Sequence, residues 1–431
     1  MNFNNNNVNP SNTNSRANGC PVRCVQELVR DVPSSYSITR EQLLLDLFRA
    51  YKNARKHKRR QPYQIRFEMN LEAELIRLRD DLYKHIYQPS NCMCFIVFEP
   101  KQREIFASRF RDRVVHHLYF DYVSPLFERI FIHDSFSCRA GRGTHFGINE
   151  LDRHIRSASD NYCKPCYAMK MDIEGYFMHI DRTRLLEIVI KMLYRMRNHR
   201  AVSGGERWRD RLDYSLLYFM SERIIMNDPT KNVFVKGSLN DWKGLPDSKS
   251  LFRTPKGCGL PIGNLTSQLF SNIYLDRLDQ FVKRNLHCRY YGRYVDDFYV
   301  VTNSKEELRS MVNPINDFMR EELGLKLHPK KTIVYNAMYG LPFLGTYLKP
   351  YRHYVDNKCW HRMSRKLAVM QVTAPDKTLA SINSYLGVLK HTRSYKKRYP
   401  LLMNRNDLPH IGFFAGHLAK FSLFKDKPAT V

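Results

Sequence analysis

Two stretches of this chain carry carboxylates where chemistry could use them. CYAMKMDIEGYFMHID, residues 166–181, delivers Asp172 at the end of an apolar strand pattern, and RYYGRYVDDFYVV, residues 289–301, delivers Asp296 and Asp297. In the second, strand-like residues flank the acid pair on both sides, which predicts a hairpin whose tight turn carries both aspartates. Paired acids at a turn are commonly only solvated. A hairpin of buried-type strands, however, would hold them rigidly, and three carboxylates brought together repel unless cations neutralise them. Magnesium suits such a site: it takes oxygen ligands, keeps some waters and is completed by substrate phosphates. Two such ions about 3.5–4 Å apart clamp the attacking and leaving oxygens of an in-line phosphoryl displacement. The chemistry implied is nucleotidyl transfer.

The rest of the chain must place these acids and bring a polyanion to them. Its 431 residues suffice for two or three domains, and 43% hydrophobic residues with 25 Phe and 26 Tyr suffice for real cores. The net charge of +28, from 70 Lys and Arg against 42 Asp and Glu, exceeds what solubility needs and points to a polyanionic partner, nucleic acid first. No apolar run of 18 residues, secretory signal or lipidation signal is visible, so no membrane partner is expected and a cytoplasmic location is the default. The ten cysteines are scattered rather than spaced as a disulfide framework, so reduced thiols are expected. CKPC at Cys163 to Cys166 has zinc-like spacing, but a structural site needs a second ligand pair, and Cys92 to Cys94 fits that poorly.

Along the chain, residues 1–33 are polar, rich in Asn and Pro, and read as a disordered tail. From Ile38 the folded part begins: Thr39 caps a helical pattern at Leu43, Leu44, Leu47 and Phe48, which runs into a basic stretch from Arg55 to Arg60. Residues 71–87 read as a second amphipathic helix, and CMCFIVFEP as a strand turning into KQREIFASRFRDR. The stretch 196–255, with its charge clusters, helical middle and loop-like end, looks like an insertion. Residues 351–431 are helical in pattern and carry fifteen Lys and Arg against four Asp and Glu.

The order DIEGYF, GLPIGNLTSQLFSNIYLDRLD, YVDD, GLKLHPKKT, LPFLGTYL resembles the palm motifs of reverse transcriptases over about residues 95–350. The resemblance implies an α+β right-hand polymerase fold of fingers, palm and thumb, with an antiparallel palm sheet packed on helices. Its parts would be an N-terminal region and fingers over 34–165, palm at 166–195 and 256–349, and a basic helical thumb over 350–431. It implies two magnesium ions, with manganese as a substitute, held at Asp172, Ile173, Asp296 and Asp297. Lys331, chosen over Lys330, would be the general acid toward the leaving pyrophosphate. Incoming deoxynucleoside triphosphate would meet Lys101, Arg103, Arg111, Phe177, Gly263 and Gln268. Phe177 matches the gate that presses on the sugar and rejects a 2′-hydroxyl; by periodicity alone it also suits a packed core aromatic. Phe343, Leu344 and Gly345 would form the primer grip, and the thumb would track the RNA/cDNA duplex with strong salt dependence.

Most reverse transcriptases carry glutamine before the glycine of LPIGNLTSQ and end that motif with Ser-Pro; here stand Ile262 and Gln268. This variant, with FRDRVVHHLYF and HDSFSCRAGRGTHFGI, is similar to the enzymes of bacterial and phage diversity-generating retroelements. In that family, error-prone copying of template adenines diversifies a target gene (mutagenic retrohoming), and a small basic helical accessory protein helps bind template RNA. Ile262 would lie near the templating base, where an apolar side chain cannot make the amide hydrogen bonds of glutamine, unless it merely packs. The nine asparagines of residues 2–24 fit the same family: their codons are crowded with adenines, so residues 1–24 read as a translated template repeat, or else as an ordinary polar tail. Rival readings are an antiphage-defence or retron-like reverse transcriptase and, from another class, a catalytically inactive RNA-binding protein.

Overall fold

The computed structural model describes residues 36–56, 58, 61–99, 101–201, 205–370 and 375–424. The Asn-rich segment, with its reading as a translated template repeat, lies outside the described residues. Thr39 caps the first helix as its position predicts, its side chain accepting from the Gln42 amide at 3.2 Å. That helix, α1 (Arg40–Arg55), buries Leu43, Leu47, Ala50, Tyr51 and Ala54 along one face, the spacing of an amphipathic helix. Helices α2 (Pro62–Glu68) and α3 (Leu71–Tyr83) follow, then strands β1 (Cys92–Val97) and β2 (Arg103–Ala107) and helices α4 (Phe110–Glu128) and α5 (Thr144–Ala158). Strand β3 (Tyr167–Asp172) ends on the first acid; one-turn helix α6 (Tyr176–His179), α7 (Arg182–Met196), α8 (Tyr214–Ile225), strand β4 (Val233–Val235) and α9 (Leu265–Gln280) follow it. The second acid motif joins β5 (Tyr290–Tyr294) to β6 (Asp297–Thr302), and α10 (Lys305–Phe318) comes next. Short strands β7 (Ile333–Asn336), β8 (Leu341–Phe343), β9 (Thr346–Lys349) and β10 (Arg352–Val355) lead to helices α11 (Asn357–Val369), α12 (Pro375–Leu389), α13 (Tyr395–Met403) and α14 (Leu408–Ile411). The hairpin β11 (Gly412–Ala415) and β12 (Lys420–Leu423) closes the described chain.

The chain divides into two compact units. The first holds residues up to Ile132, Ile173–Gln280 and Asn316–Lys326. Its small sheet has the order β2–β1–β4, with β1 antiparallel to β2 and parallel to β4. The segment 196–255 is therefore woven into this unit rather than appended to it. It supplies β4, and α8 packs against α3, α4 and α7. It also ties itself to β2 through buried Glu104, whose carboxylate accepts from Trp242 Nε1 at 2.7 Å, Ser250 Oγ at 2.9 Å and the Leu251 amide.

The second unit holds His133–Asp172, Phe281–Ile315 and Leu327 onward. Its main sheet has the order β5–β6–β3–β7 and is antiparallel throughout. Alternation along the strands sends Ala168, Tyr299 and Val301 into a core with Phe136, Ile148, Leu151, Ile155 and Phe343. Gly292 is required on β5: a Cβ there would stand 2.5 Å from Tyr299 Oη and 2.8 Å from a Phe136 ring atom. Beyond the three-stranded sheet β10–β9–β8, the helices α11 to α14 and the β11–β12 hairpin close over a separate core of Met363, Leu367, Ile382, Leu386, Leu402 and Phe421. This is where a basic helical thumb was expected.

The eight cysteines among the described residues are free thiols, as the scattered spacing predicts. Within the CKPC pair, Cys166 is fully buried while Cys163 is exposed. Among the described residues no helix is long and apolar enough to cross a membrane.

Candidate active site

The acids converge within the second unit through sheet register. In the β3–β6 ladder Asp172 stands directly opposite Asp297, so the two side chains leave one face of the sheet as neighbours. Asp297 also pairs with Tyr294 across the β5–β6 hairpin, which leaves Val295 and Asp296 as the turn itself. The expectation of both aspartates in the turn is thus corrected by one residue: Asp296 sits in it, and Asp297 opens the following strand.

Desolvation comes first in raising the Asp296 carboxyl to about 6, and the negative charge of Asp172 adds to it. Asp297 is raised as well, by burial, against the opposing pull of Lys170. Two lysines offset the negative charge. Lys331 Nζ lies 2.8 Å from Asp172 Oδ1, and Lys170 Nζ lies 3.4 Å from Asp297 Oδ2. Lys331 reaches its place because Pro329–Lys331 form a single helical turn, capped where the His328 ring accepts from the Lys330 amide, while the His328 amide donates to the Asp172 carbonyl at 2.8 Å. The charges of Asp172 and Asp297 both act to raise Asp296, and the three carboxylates offer the all-oxygen donors that a hard divalent cation takes. Asp172, Asp296 and Asp297 could hold magnesium, and Ile173, its side chain buried, could offer only its backbone carbonyl.

Primer-grip residues Phe343, Leu344 and Gly345 lie in the same unit. Leu344 and Gly345 form the two-residue turn between β8 and β9, both with positive φ, +48° and +81°. Phe343 is buried beneath the acids' strand, edge-on to Tyr299 with centroids 5.3 Å apart and 5.5 Å below the Lys170 ammonium.

The residues expected to meet the nucleotide lie in the first unit. Lys101 and Arg103 are exposed at the β1–β2 hairpin. Arg111 is engaged locally: it ion-pairs with Asp81, bonds the Gln88 carbonyl and lies over the Tyr87 ring at 5.2 Å. Phe177 and Ile262 pack, partly buried, against one cluster of Cys92, Cys94, Phe106, Met178 and Leu251. The Ile262 carbonyl accepts from the Phe106 amide at 2.9 Å. Gly263 has φ +126°, and a Cβ on it would stand 3.1 Å from the Phe106 carbonyl oxygen, so the close backbone approach requires glycine. Gln268 is exposed on α9.

Sequence reasoning missed Lys170, although strand alternation in MKMD sets it on the Asp172 face. It also missed Arg293, wholly buried one residue before the YVDD motif.

Residues 221–348 match the family model described as reverse transcriptase (RNA-dependent DNA polymerase), so this part of the chain is a reverse transcriptase domain. The match includes Asp296, Asp297, Lys331 and the Ile262 segment; Asp172 lies outside it. Among curated proteins, the chain is 30% identical over 84 residues to a putative COX1/OXI3 intron 2 protein of Saccharomyces cerevisiae, covering 18% of this chain and 10% of that protein. Among solved structures it is similar to apo telomerase from Candida tropicalis truncated from the C-terminal domain, at 14% identity and TM-score 0.40, covering 62% of this chain and 55% of that one. It is also similar to telomerase from Candida albicans in complex with a fragment of telomeric RNA, at 11% identity and TM-score 0.42, covering 74% and 57%. The chain thus spans little more than half of the solved telomerases it matches, and a tenth of the yeast protein.

Proposed function

We propose that this chain is an RNA-directed DNA polymerase of a diversity-generating retroelement, copying a template-repeat RNA into adenine-mutagenised cDNA. The observation that carries the polymerase reading is the register of Asp172 opposite Asp297 with Asp296 in the adjoining turn. Magnesium held by these carboxylates supplies the charge neutralisation that in-line transfer of a nucleotidyl group to a primer hydroxyl requires. The protein's own part is to hold the acids rigidly, to keep a proton on Lys331 Nζ for the leaving pyrophosphate, and to seat the triphosphate with Lys101 and Arg103. Template RNA, the RNA/cDNA duplex, deoxynucleoside triphosphates and a small basic helical accessory protein are the proposed partners. The retroelement assignment is supported by Ile262 and Gln268 in LPIGNLTSQ. Ile262, packed beside the Phe177 cluster, presents no amide to a templating base.

Primer extension on an RNA template with magnesium tests the reading. Wild type should extend the primer, and Asp296→Ala should abolish product while keeping RNA affinity; undiminished synthesis by that variant overturns the site. Ile262→Gln should lower misincorporation opposite template adenines. An unchanged error spectrum returns Ile262 to ordinary packing and removes the support for adenine mutagenesis.

A further inference from the structure

Val295, the first residue of the acid turn, has φ +56°, in the left-handed region that a β-branched side chain strongly disfavours. Both of its backbone polar groups are fixed by side chains. Its amide donates to Ser137 Oγ at 3.1 Å, and its carbonyl accepts from Arg293 Nη1 at 3.1 Å. Arg293 is wholly buried, and its Nη2 donates to Ser135 Oγ at 3.2 Å. The serines stand on a segment laid parallel to β5: the Arg293 amide donates to the Asp134 carbonyl and the Phe136 amide to the Arg293 carbonyl, each at 2.9 Å. That segment is anchored in turn. Lys283 Nζ holds the Asp134 carboxylate at 2.8 Å, and Arg139 Nη1 donates to the Ser135 carbonyl at 2.9 Å.

We propose that Arg293 and Ser137 are positioning residues that clamp Val295 in its left-handed conformation and thereby aim the Asp296 carboxylate. A strained backbone persists only where its surroundings over-determine it, and here one peptide group on each side of the Val295 Cα is pinned by a buried side chain. Without the clamp, Val295 relaxes toward negative φ and the Val295–Asp296 peptide rotates, carrying Asp296 off the face shared by Asp172 and Asp297. The inference rests on the polymerase reading for its kinetic consequence, but not for its geometry. Glycine adopts the left-handed conformation without strain, so Val295→Gly should make the clamp largely dispensable.

The test compares Ser137→Ala, Arg293→Lys, Val295→Gly and Ser137→Ala/Val295→Gly in the full chain. It measures magnesium binding by calorimetry, primer extension as a function of magnesium and nucleotide, and the melting temperature. Misplacement of one carboxylate should lower kcat by about tenfold or more in Ser137→Ala and weaken magnesium binding several-fold, with KM for nucleotide and melting temperature little changed. The double variant should recover most of both losses. Arg293→Lys, which keeps the charge but not the planar fork, should act in the same direction. A Ser137→Ala variant with normal magnesium binding and rate overturns the proposal. So does a double variant no better than the single one, or a rate loss that follows the melting temperature with no change in magnesium requirement. Should wild type itself make no product, the polymerase reading fails, while magnesium binding by the same variants still decides whether the clamp aims Asp296.

Discussion

Lys331 Nζ stands 2.8 Å from Asp172 Oδ1, so the carboxylate that a divalent ion would bind is already paired with an ammonium from a separate turn of chain. Both partners are partly solvated, 51% and 23% exposed, and such a pair is weak enough to exchange. A cation in that position would oppose metal entry and would then lie close to the phosphates of a metal-bound nucleotide.

Two opposite effects are therefore expected of Lys331→Gln. Magnesium should bind the nucleotide-free protein a few-fold more tightly, because a competing charge is gone. Single-turnover incorporation should nonetheless fall by about 10²-fold, the worth of a positioned general acid. Calorimetry and rapid-quench incorporation read the two separately. Tighter metal binding at an unchanged rate would leave Lys331 as a charge partner alone.

The pH dependence of stability follows from Asp296. Its carboxyl is raised from 3.8 to about 6 by burial and by Asp172, so the native state binds this proton more tightly than the unfolded chain. The stabilisation is full below about pH 4 and is lost as pH rises through about 6, up to about 3 kcal/mol at 1.4 kcal/mol per unit. Without magnesium, Asp296→Asn should thus gain stability over wild type between pH 5 and pH 7.5, measured by urea unfolding at each pH. Added magnesium should narrow the gap at pH 7.5 by binding the ionised wild-type site. A gap that is constant with pH would show that Asp296 titrates near its ordinary value.

How much of this was legible in the sequence depends on the range over which each residue acts. The acid motifs stood out because apolar strand patterns end on them, and Thr39 because a cap is a local signal. The partner of β1 was not legible: β4 lies about 140 residues further on and pairs through three residues, too short a run to show a strand period. Arg293 and Lys170 escaped for another reason. A charged residue in an apolar strand looks like an edge or an exception until the groups it faces are known, Val295 and Ser135 for the one and Asp297 for the other. The one-residue error in the acid turn is of the same kind, since it depends on which residue pairs with Tyr294.

Arg103 and Arg111 look equivalent as sequence, but their surroundings separate them. Arg103 is exposed at the start of β2, opposite Val97, where a phosphate can reach it. Arg111 is 22% exposed, bound to Asp81, and 3.7 Å from Asp112, whose carboxyl is raised by burial and accepts from Tyr87 Oη at 2.8 Å. Removing Arg111 withdraws a charge from a buried acid; removing Arg103 withdraws only an exposed charge, the one proposed to meet the nucleotide's phosphates. Arg111→Ala should therefore cost about 1–3 kcal/mol of stability, seen as a lower melting temperature. Arg103→Ala should leave the melting temperature within about a degree, since exposed substitutions cost little, and raise KM for deoxynucleotide by about tenfold, the worth of one charge-assisted contact. Thermal melts and steady-state extension on the two variants check both, and a KM effect at Arg111 with no thermal effect would move the triphosphate grip to that residue.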